Sequence, residues 1–525
     1  MQTLTKTYTG AKLLIETLKD LGCDTIFGYP GGIVLQVYDE LSKQNDIKHF
    51  LVRHEQAAVH AAEGYARVSG KCGVVLVTSG PGATNIVTGI ANAYLDGFPL
   101  VVITGQVSAE LLHQDAFQEV DIIDITKSCT KKNFQIKNIE NLQDTLTNAF
   151  KTALEDKPGP VVVDITKNVF SELSEFKPVN IESQSVDYYN DLNSAISAIN
   201  NAKRPVIITG GGAIDAADEI REFADKMQIN VVSTMMGLGV YPADGINYRG
   251  MIGIFGSANN VVAESDLVIA VGTRFNDRVK PCLGKFEQKL IRIDISKKEL
   301  FGHVDASIKL LGDAKNIIKE LLSRCTPNNY EIISANIKNP QIRSDRMHSC
   351  ELTEAIFKCI KKYNPVITTE VGQHQVWAAR YLKFNEPRKF LTSGGLGTMG
   401  FGFPSAIGAS VALNNRAVVC IAGDGSFQMN LQELATCMDY KLPVKVFIFN
   451  NGYLGMVRQF QEKMCEQRYF ATQISNPDFV KLAQSYGAKG IRVDSITNVP
   501  AAIDEAFAYD GPVIVDFIIE PMEVL

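Results

Sequence analysis

The sequence predicts an α/β protein with three domains, each built on a central, mainly parallel β-sheet flanked by helices. The chain has 525 residues, a length that suits about three domains large enough to bury a core. Short apolar segments alternate with segments of helical period, as strands and helices do in parallel sheets. Several apolar segments end in glycine-rich turns, which is where such folds bind ligands.

Two polar stretches without a clear period, residues 168–190 and 325–345, are expected to be linkers. They divide the chain into an N-terminal domain at 1–170, a central domain at 190–325 and a C-terminal domain at 345–525. These bounds are predictions from pattern alone.

Composition favours an enzyme over a nucleic-acid-binding or membrane protein. The net charge of −6 and the lack of a sustained Lys/Arg patch argue against nucleic acid. The ten cysteines form no C-x-x-C pair and the seven histidines no ligand-spaced cluster, so we expect a reducing compartment and no zinc site. No apolar run reaches membrane-spanning length and no signal-like start precedes the first helix. We therefore expect a cytoplasmic protein.

In the N-terminal part, Thr9 is expected to cap a helix with leucines on its inner face. A strand at 25–27 then ends in a Gly/Pro loop at 28–32. Glu55 lies where a strand passes into an Ala-rich helix. It is open to two interpretations, a Glu that satisfies backbone donors at a helix start and a buried carboxyl that shares a proton.

In the central part, an apolar strand at 206–209 runs into the glycines 210–212, which alone are weak indicators of a nucleotide site. A second strand ends before Arg274 and Arg278, and a third ends at Asp294. A strand-end acid suits a ribose hydroxyl, and the two arginines suit a diphosphate.

The C-terminal part begins with a helix near 352–363 and a strand at 365–369. The apolar run 417–422 predicts a strand that turns sharply at a Gly-Asp-Gly sequence, and a helix at about 430–440 leads to a second buried strand at 444–449. A crossover with a helix of roughly 16 Å and a strand of roughly 20 Å brings Asn451 back beside Asp424.

A carboxylate and an amide oxygen at one sheet edge suit a hard divalent cation such as Mg²⁺. Exposed N–H groups around Gly425 and Ser426 suit a diphosphate. The alternative is that Gly-Asp-Gly is an ordinary turn. The length of the crossover and the closing Asn450-Asn451 pair favour the metal site.

This segment resembles the diphosphate–metal motif of thiamine diphosphate (ThDP) enzymes. Further segments occur in the order found in the acetohydroxyacid synthase (acetolactate synthase) catalytic subunits, from about residue 9 to the end of the chain. They read GYPGG, RHEQAAVHAAEGYARVSGKCGVVLVTSGPGATN, DAFQEVD, GTRFNDRV, VGQHQVWAA and GGLGTMGFGFPSAIGA. The chain is therefore identified as a member of this family.

The resemblance implies the three-domain ThDP-enzyme fold of the pyruvate oxidase and decarboxylase type, with pyrimidine-binding, FAD-binding and diphosphate-binding domains in that order. It implies decarboxylation of pyruvate and ligation to a second pyruvate, giving 2-acetolactate, or to 2-oxobutyrate, giving 2-aceto-2-hydroxybutyrate. This is the entry to branched-chain amino acid biosynthesis, with ThDP, Mg²⁺ and FAD as cofactors.

Roles carry over from the family residue by residue. The catalytic residues implied are Glu55 as cofactor activator, Gln118 facing the reacting centre, Phe117 as its wall, Lys167 near the substrate entrance and Met399 as the support that bends ThDP. The metal ligands implied are Asp424, Asn451 and the carbonyl of Tyr453. The other contacts implied with ThDP are Gly32, Asn85, Gly372, Gln373, His374, Gly397, Gly423, Gly425, Ser426 and Met456. Those implied with FAD are Lys157, Gly210, Gly211, Gly253, Arg274, Arg278, Asp294 and Asp313.

Some of these residues keep a plainer interpretation. Lys167 also suits a solvated strand end, an isolated Met such as Met399 is usually core filler, and Asn85 is expected to support its loop rather than to touch substrate. Gln118 and Phe117 suit a capped helix start and a core aromatic.

The chain departs from the family at four places. Asn276 replaces an Asp, and Lys157 replaces an Arg whose planar fork a Lys lacks, so FAD affinity is expected to be affected. Phe460 stands where biosynthetic members have a Trp that favours 2-oxobutyrate, and we expect a weaker preference for that substrate. The sequence ends at Leu525, short of the family's usual tail, which predicts a poorly closed site.

The resemblance implies a homodimer as the smallest active unit, in which Glu55 of one subunit meets Asp424 and Asn451 of another, or a homotetramer. A small regulatory subunit is a further expected partner. Two rivals stay open. One is a different ThDP chemistry, such as that of a pyruvate oxidase. The other is a non-catalytic subunit that binds ThDP and FAD.

Overall fold

The computed structural model describes residues 6–179, 191–283, 288–302, 304–336 and 346–525. These residues form three domains, each with a six-stranded sheet that is parallel throughout and flanked by helices. The fold class predicted from the sequence is confirmed. No helix in these ranges is both long enough and apolar enough to cross a membrane.

The N-terminal domain contains one six-stranded sheet and a small antiparallel pair. Its strands are β1 (Thr7–Thr9), β2 (Thr25–Tyr29), β3 (Lys48–Leu51), β4 (Gly73–Val77), β5 (Leu100–Gln106), β6 (Lys132–Ile136), β7 (Pro160–Thr166) and β8 (Leu173–Glu175). Its helices are α1 (Gly10–Asp20), α2 (Leu35–Ser42), α3 (Glu55–Ser69), α4 (Pro81–Thr84), α5 (Val87–Asp96), α6 (Ile122–Thr126) and α7 (Leu142–Leu154). The sheet order is β3-β2-β4-β5-β7-β6.

Strands β4, β5 and β7 are buried along their whole length, because helices cover both faces of a parallel sheet. The helix cap expected at Thr9 is confirmed, since its side chain accepts a hydrogen bond from the backbone N–H of Lys12. The segment expected to be an irregular linker contains β8, which pairs with β1. A three-residue strand is too short to give a periodic signal. Residues 180–190 of that linker lie outside the described residues.

The central domain has the sheet order β11-β10-β9-β12-β13-β14. Its strands are β9 (Pro205–Thr209), β10 (Asn230–Ser233), β11 (Tyr248–Met251), β12 (Leu267–Val271), β13 (Lys289–Asp294) and β14 (Ile308–Leu311). Its helices are α8 (Leu192–Asn201), α9 (Ala217–Met227), α10 (Asn259–Ala263), α11 (Lys297–Phe301) and α12 (Ala314–Arg324). From β9 the strands are added outward to β11 on one side, and from β12 outward to β14 on the other. This reversal of strand order between β9 and β12 opens a crevice at the carboxyl ends of these strands.

The C-terminal domain has the order β16-β15-β17-β18-β20-β19. Its strands are β15 (Val366–Thr369), β16 (Phe390–Leu391), β17 (Val418–Gly423), β18 (Val444–Asn450), β19 (Lys489–Val493) and β20 (Val513–Ile518). Its helices are α13 (Ser349–Ile360), α14 (Gln373–Tyr381), α15 (Gly402–Ala412), α16 (Asp424–Phe427), α17 (Leu434–Asp439), α18 (Gly455–Met464), α19 (Phe479–Ser485) and α20 (Val499–Ala508). The helix expected at 430–440 begins with a 3₁₀ turn at 431–433 and continues as α17.

The N-terminal and C-terminal domains share one continuous apolar core. Helix α3 packs along α15, and each helix has a glycine at the crossing. A Cβ atom at Gly64 would overlap the carbonyl oxygen of Ser405, and one at Gly408 would overlap that of Ala61. Only glycine allows the two backbones to approach so closely.

Candidate functional site

The predicted metal ligands come together at the carboxyl edge of the C-terminal sheet. Asp424, the first residue of α16, and Asn451, just after β18, line one cleft of about 70 Å³. One carboxylate oxygen of Asp424 accepts hydrogen bonds from the backbone N–H of Gly452 at 2.8 Å and from the Asn476 amide at 2.7 Å. Burial raises the pKa of Asp424, and these hydrogen bonds oppose the rise.

Tyr453 lines the same cleft, and its backbone N–H donates to the side-chain oxygen of Asn451 at 3.0 Å. The cleft therefore gathers a carboxylate, an amide oxygen and the backbone of Tyr453. Oxygen donors of this kind, few in number and next to a phosphate site, are what Mg²⁺ accepts in proteins.

Residues predicted to contact a diphosphate line this cleft too. They are Gly372, Gln373, His374, Gly423, Gly425 and Ser426. Within the described ranges the Nε2 atom of His374 is buried without a hydrogen-bond partner, and burial lowers its pKa to about 3. Cβ atoms at Gly372 and Gly423 would lie 2.7 Å and 2.9 Å from Cε1 of this ring. Both glycines thus leave room for the His374 imidazole at the edge of this cleft.

Met399 and Met456 line both this cleft and a second cavity of about 1030 Å³. Gly397 and Phe460 line only the larger cavity. The two methionines therefore form an apolar border where the cavities meet, as expected of residues that pack on a cofactor.

The larger cavity lies at the crevice between β9 and β12 and contains every residue predicted to contact FAD. These are Lys157, Gly210, Gly211, Gly253, Arg274, Arg278, Asp294 and Asp313. The N–H of Gly210 donates to Val271 and that of Gly212 to Gly272, so the glycine turns after the two strands touch. A crevice at such a reversal of strand order is where α/β sheets bind dinucleotides, and its volume suits one.

Charged and polar groups line this cavity. Burial raises the pKa of Asp294 to about 6. Lys157 is paired with Glu299 at 2.9 Å, and the side chain of Asn276 accepts from the backbone N–H of Arg278 at 3.2 Å. The Lys157 ammonium is thus already engaged by a carboxylate of the central domain.

Apart from Lys157, the predicted residues of the N-terminal domain lie outside these two cavities. Glu55 is partly buried, and the Asn85 amide donates to its carboxylate at 2.9 Å. Gln118, at a φ of 61°, packs over Gly80, where a Cβ would lie 2.9 Å from Cα of Gln118. Phe117 is 88% exposed and Lys167 is exposed.

Among the residues the structure describes, the lining of both cavities omits Gly32, Glu55, Asn85, Phe117, Gln118 and Lys167. Within one chain, Glu55 and Asp424 therefore share neither of these cavities. The predicted residues of the C-terminal and central domains line two cavities that have Met399 and Met456 in common, and Glu55 pairs with Asn85 outside them.

Three residues at the site were missed from the sequence, of which Glu370 and Asn430 are buried and Asn476 is partly buried. Asn476 orients Asp424 and also donates to Asn450 at 3.0 Å. Glu370 and Asn430 bind the turn that follows Met399. Asn430 lies inside the metal motif, and a polar residue at the start of the helix expected there could have indicated a buried contact. The residues near Glu370 and Asn476 in the sequence form no pattern that indicates such a contact.

Three family profiles match the chain in order. They are the thiamine pyrophosphate enzyme N-terminal TPP binding domain at residues 8–125, the central domain at 192–321 and the C-terminal TPP binding domain at 370–517. Fold, cleft and profiles together define a ThDP-dependent enzyme.

Curated relatives narrow the class further. The chain is 40% identical to the acetolactate synthase large subunit of Haemophilus influenzae, over 96% of this chain and 93% of that protein. It is 41% identical to a probable acetolactate synthase large subunit of Methanocaldococcus jannaschii, over 98% and 93% of the two chains. It is 40% identical to the acetolactate synthase isozyme 2 large subunit of Escherichia coli, over 98% and 96%. The chain belongs to the family of acetolactate synthase large subunits.

Proposed function

We propose that this enzyme joins two molecules of pyruvate, with release of CO₂, to give 2-acetolactate. With 2-oxobutyrate as the second substrate it gives 2-aceto-2-hydroxybutyrate, at the start of branched-chain amino acid synthesis. The observation that carries the proposal is the 40% identity to acetolactate synthase large subunits along nearly the whole chain. ThDP, when bound, supplies a nucleophilic carbon and an electron sink for the decarboxylation.

The cleft of the C-terminal domain is proposed to hold the charged end of that cofactor. Asp424, Asn451 and the Tyr453 carbonyl would hold Mg²⁺, and Asn476 keeps the Asp424 carboxylate in position. The backbone at Gly425 and Ser426, with Gln373 and the unpaired His374 nitrogen, would hold the diphosphate. Helix α16 is short, so the individual N–H groups and the metal supply the attraction.

In the N-terminal domain Glu55 is proposed to hold and exchange a proton with the aminopyrimidine ring. Asn85 fixes the orientation of its carboxylate, while Gly32 lets the backbone approach. Gln118 and Phe117 face the reacting centre, and Lys167 lies near the entrance. Met399 and Met456 close the apolar side of the site and exclude water from it.

FAD is proposed to occupy the larger cavity without a net redox role. Arg274 and Arg278 would hold its diphosphate and Asp294 a ribose hydroxyl, and the glycines at 210, 211 and 253 and Asp313 line the same cavity. Lys157 has to share its charge with Glu299. We expect the wild-type protein to retain a flavin absorbance band after gel filtration. In Arg274→Ala this band should be weaker, because less FAD stays bound.

The smallest active unit is proposed to be a dimer, because Glu55 and Asp424 line no common cavity in the described chain. Glu55→Gln and Asp424→Asn chains are each expected to have little activity at the Mg²⁺ concentration that just saturates wild type. When they are unfolded together and refolded, hybrid dimers contain one intact site of two, and about a quarter of the wild-type activity should return. If the mixture stays inactive while wild type recovers fully, each site is built within one chain.

The relatives are named large subunits, which supports a small regulatory subunit as a further partner. The expected result is a change in specific activity when a candidate small subunit is added to the purified chain. Cell fractionation would test the expected cytoplasmic location.

Product analysis tests the function itself. Purified protein with ThDP, Mg²⁺ and FAD receives equal pyruvate and 2-oxobutyrate, and the products are followed by NMR. Acetolactate and acetohydroxybutyrate are expected. Oxygen-dependent acetate or acetyl phosphate would instead indicate an oxidase, and no turnover with bound cofactors would indicate a non-catalytic subunit.

A further inference from the structure

Met399 lies in the segment between β16 and α15, residues 392–401, which is rich in glycine. Such a segment has many accessible conformations unless other groups hold it. Met399 nevertheless has to keep one position, because it borders both cavities. Buried polar contacts hold the chain on both sides of this residue.

On the C-terminal side of Met399, the turn at residues 400–403 is held by Glu370. This fully buried residue follows β15, and its two carboxylate oxygens accept the backbone N–H groups of Gly400 at 2.6 Å and Phe403 at 2.9 Å. The N–H groups of Phe401 and Gly402 also act on this carboxyl. Burial raises the pKa of Glu370 to about 7, and the N–H groups oppose that rise.

The carbonyl of Gly400 has a different partner from its N–H group. The amide of Asn430, a buried residue within the metal motif, donates to it at 2.7 Å. Gly400 has a φ of 93°, and a Cβ there would lie 2.9 Å from the Asn430 amide nitrogen. The residue after Met399 is thus fixed through both its N–H and its C=O.

On the amino side, the Ser393 hydroxyl accepts the N–H groups of Gly397 at 2.9 Å and Thr398 at 2.8 Å. The Thr398 hydroxyl donates to Asn92 of the N-terminal domain at 3.0 Å. These contacts leave the backbone of Met399 between two anchored neighbours.

We propose that Glu370 is a positioning residue that, together with Asn430, holds Met399 in place at the border of the two cavities. This inference rests on the proposed function, in which Met399 supports the bound cofactor. Glu370 does not touch substrate or cofactor in this scheme and acts only through the turn at 400–403. The carboxylate can accept N–H groups with both oxygens, whereas a neutral amide can accept with only one.

The first test follows the turn directly, in protein without cofactor. Glu370→Gln is compared with wild type by hydrogen exchange of a peptide that covers residues 400–403. Exchange is expected to become about tenfold faster, the equivalent of one charge-assisted hydrogen bond. Asn430→Ala removes the contact to the carbonyl, and it should also speed exchange if Glu370→Gln does not fold.

Lys445→Met is the matched control. Lys445 is a buried charged residue of the same sheet, and its ammonium donates to the carbonyls of Tyr509 and Gly511 at the opposite end of β18. It should lower stability without changing exchange at 400–403. Unchanged exchange in Glu370→Gln, or equally fast exchange in Lys445→Met, would overturn the proposal.

A double-mutant cycle tests whether Glu370 acts through Met399. Glu370→Gln alone should lower kcat about tenfold while the dissociation constant of ThDP changes little. In a Met399→Ala background the same change should add almost nothing to the loss of kcat. Multiplicative losses would refute action through Met399. A wild-type protein without synthase activity would refute the proposed function and leave the exchange result standing.

Discussion

In the N-terminal sheet the strands lie in the order β3-β2-β4-β5-β7-β6, and in the C-terminal sheet β16-β15-β17-β18-β20-β19, so every strand has a counterpart. The third strand of each, β4 or β17, leads through a glycine into a short helix, α4 or α16. In the first case the helix begins with Pro81 and in the second with Asp424. The same topology therefore places a carboxylate at the start of the helix after the third strand in the C-terminal domain but not in the N-terminal domain.

The strands that come second along the chain in the two sheets, β3 and β16, also lead into connections with different residues. Residues 52–54 connect β3 to α3, which begins with Glu55, whereas residues 392–401 connect β16 to α15 and carry Met399. The acid of the N-terminal domain and the apolar support of the C-terminal domain thus occupy counterpart connections. The strands fix where a side chain is presented, and the residues and loop lengths at their ends decide the chemistry.

The largest expected effect separates the two acids. Glu55→Gln should lower kcat by about 10²- to 10⁴-fold, as loss of a proton-transferring group does, and leave the Mg²⁺ requirement unchanged. Asp424→Asn should raise the Mg²⁺ concentration needed for half-activation by roughly 10- to 100-fold, since a charged partner is lost. Initial rates at varied Mg²⁺ measure both. A shifted Mg²⁺ requirement in Glu55→Gln would contradict this division.

The second prediction concerns the crossing of α3 and α15, counterpart helices of the two domains, and tests how tightly they pack against each other. Gly408→Ala and Gly64→Ala each place a methyl group against a carbonyl of the other helix. Each should lower the free energy of unfolding by about 1–3 kcal/mol, measured in urea, because the helices have to separate. Gly32→Ala is the control, since no heavy atom lies within 4 Å of its added Cβ. Variants that match this control would show that the crossing is not tight.

A smaller effect concerns pH. Glu433 is buried at the contact between the domains and accepts the backbone N–H of Arg53 at 3.0 Å and the Thr436 hydroxyl at 2.7 Å. Burial raises its pKa to about 7, so the folded state binds a proton more tightly than the unfolded state. Its contribution to stability therefore falls as pH rises, by about 1 kcal/mol between pH 6 and pH 8.

Glu433→Gln should remove this part of the pH dependence. Urea unfolding at pH 6 and pH 8 measures the difference between variant and wild type. Asp144→Asn, at an exposed residue of α7, provides a control in which the wild-type dependence should persist. An equal loss of stability with pH in Glu433→Gln and wild type would rule out a titration of Glu433 in this range.

The features predicted from the sequence are those that local pattern determines. Apolar runs marked the buried strands to within one or two residues, for example β17 and β18. The lengths of the crossover between them were enough to bring Asp424 and Asn451 into one cleft. The cap at Thr9 needed only its own helix.

What the sequence did not reveal depends on contacts between distant segments. Glu370 holds the turn at 400–403 and Glu433 holds Arg53, and neither partner is near in sequence. The pairing of β1 with β8 is another case. That Glu55 lines neither cavity depends on the packing of whole domains. The family resemblance implied such an arrangement, whereas no local pattern records it.

The smallest effect concerns the connections after the fourth strands, β5 and β18, which carry Phe117 and Phe460. Both aromatic side chains are exposed in the described chain, at 88% and 39%, although only Phe460 lines a cavity. Phe460→Trp should narrow the space for the second substrate and raise the ratio of acetohydroxybutyrate to acetolactate a few-fold. One methylene is discriminated by only about 1–3 kcal/mol. Phe470→Trp, at an aromatic 84% exposed, should leave that ratio unchanged. If both variants keep the wild-type ratio, the two connections do not differ in setting specificity, and the wall for the second substrate lies elsewhere.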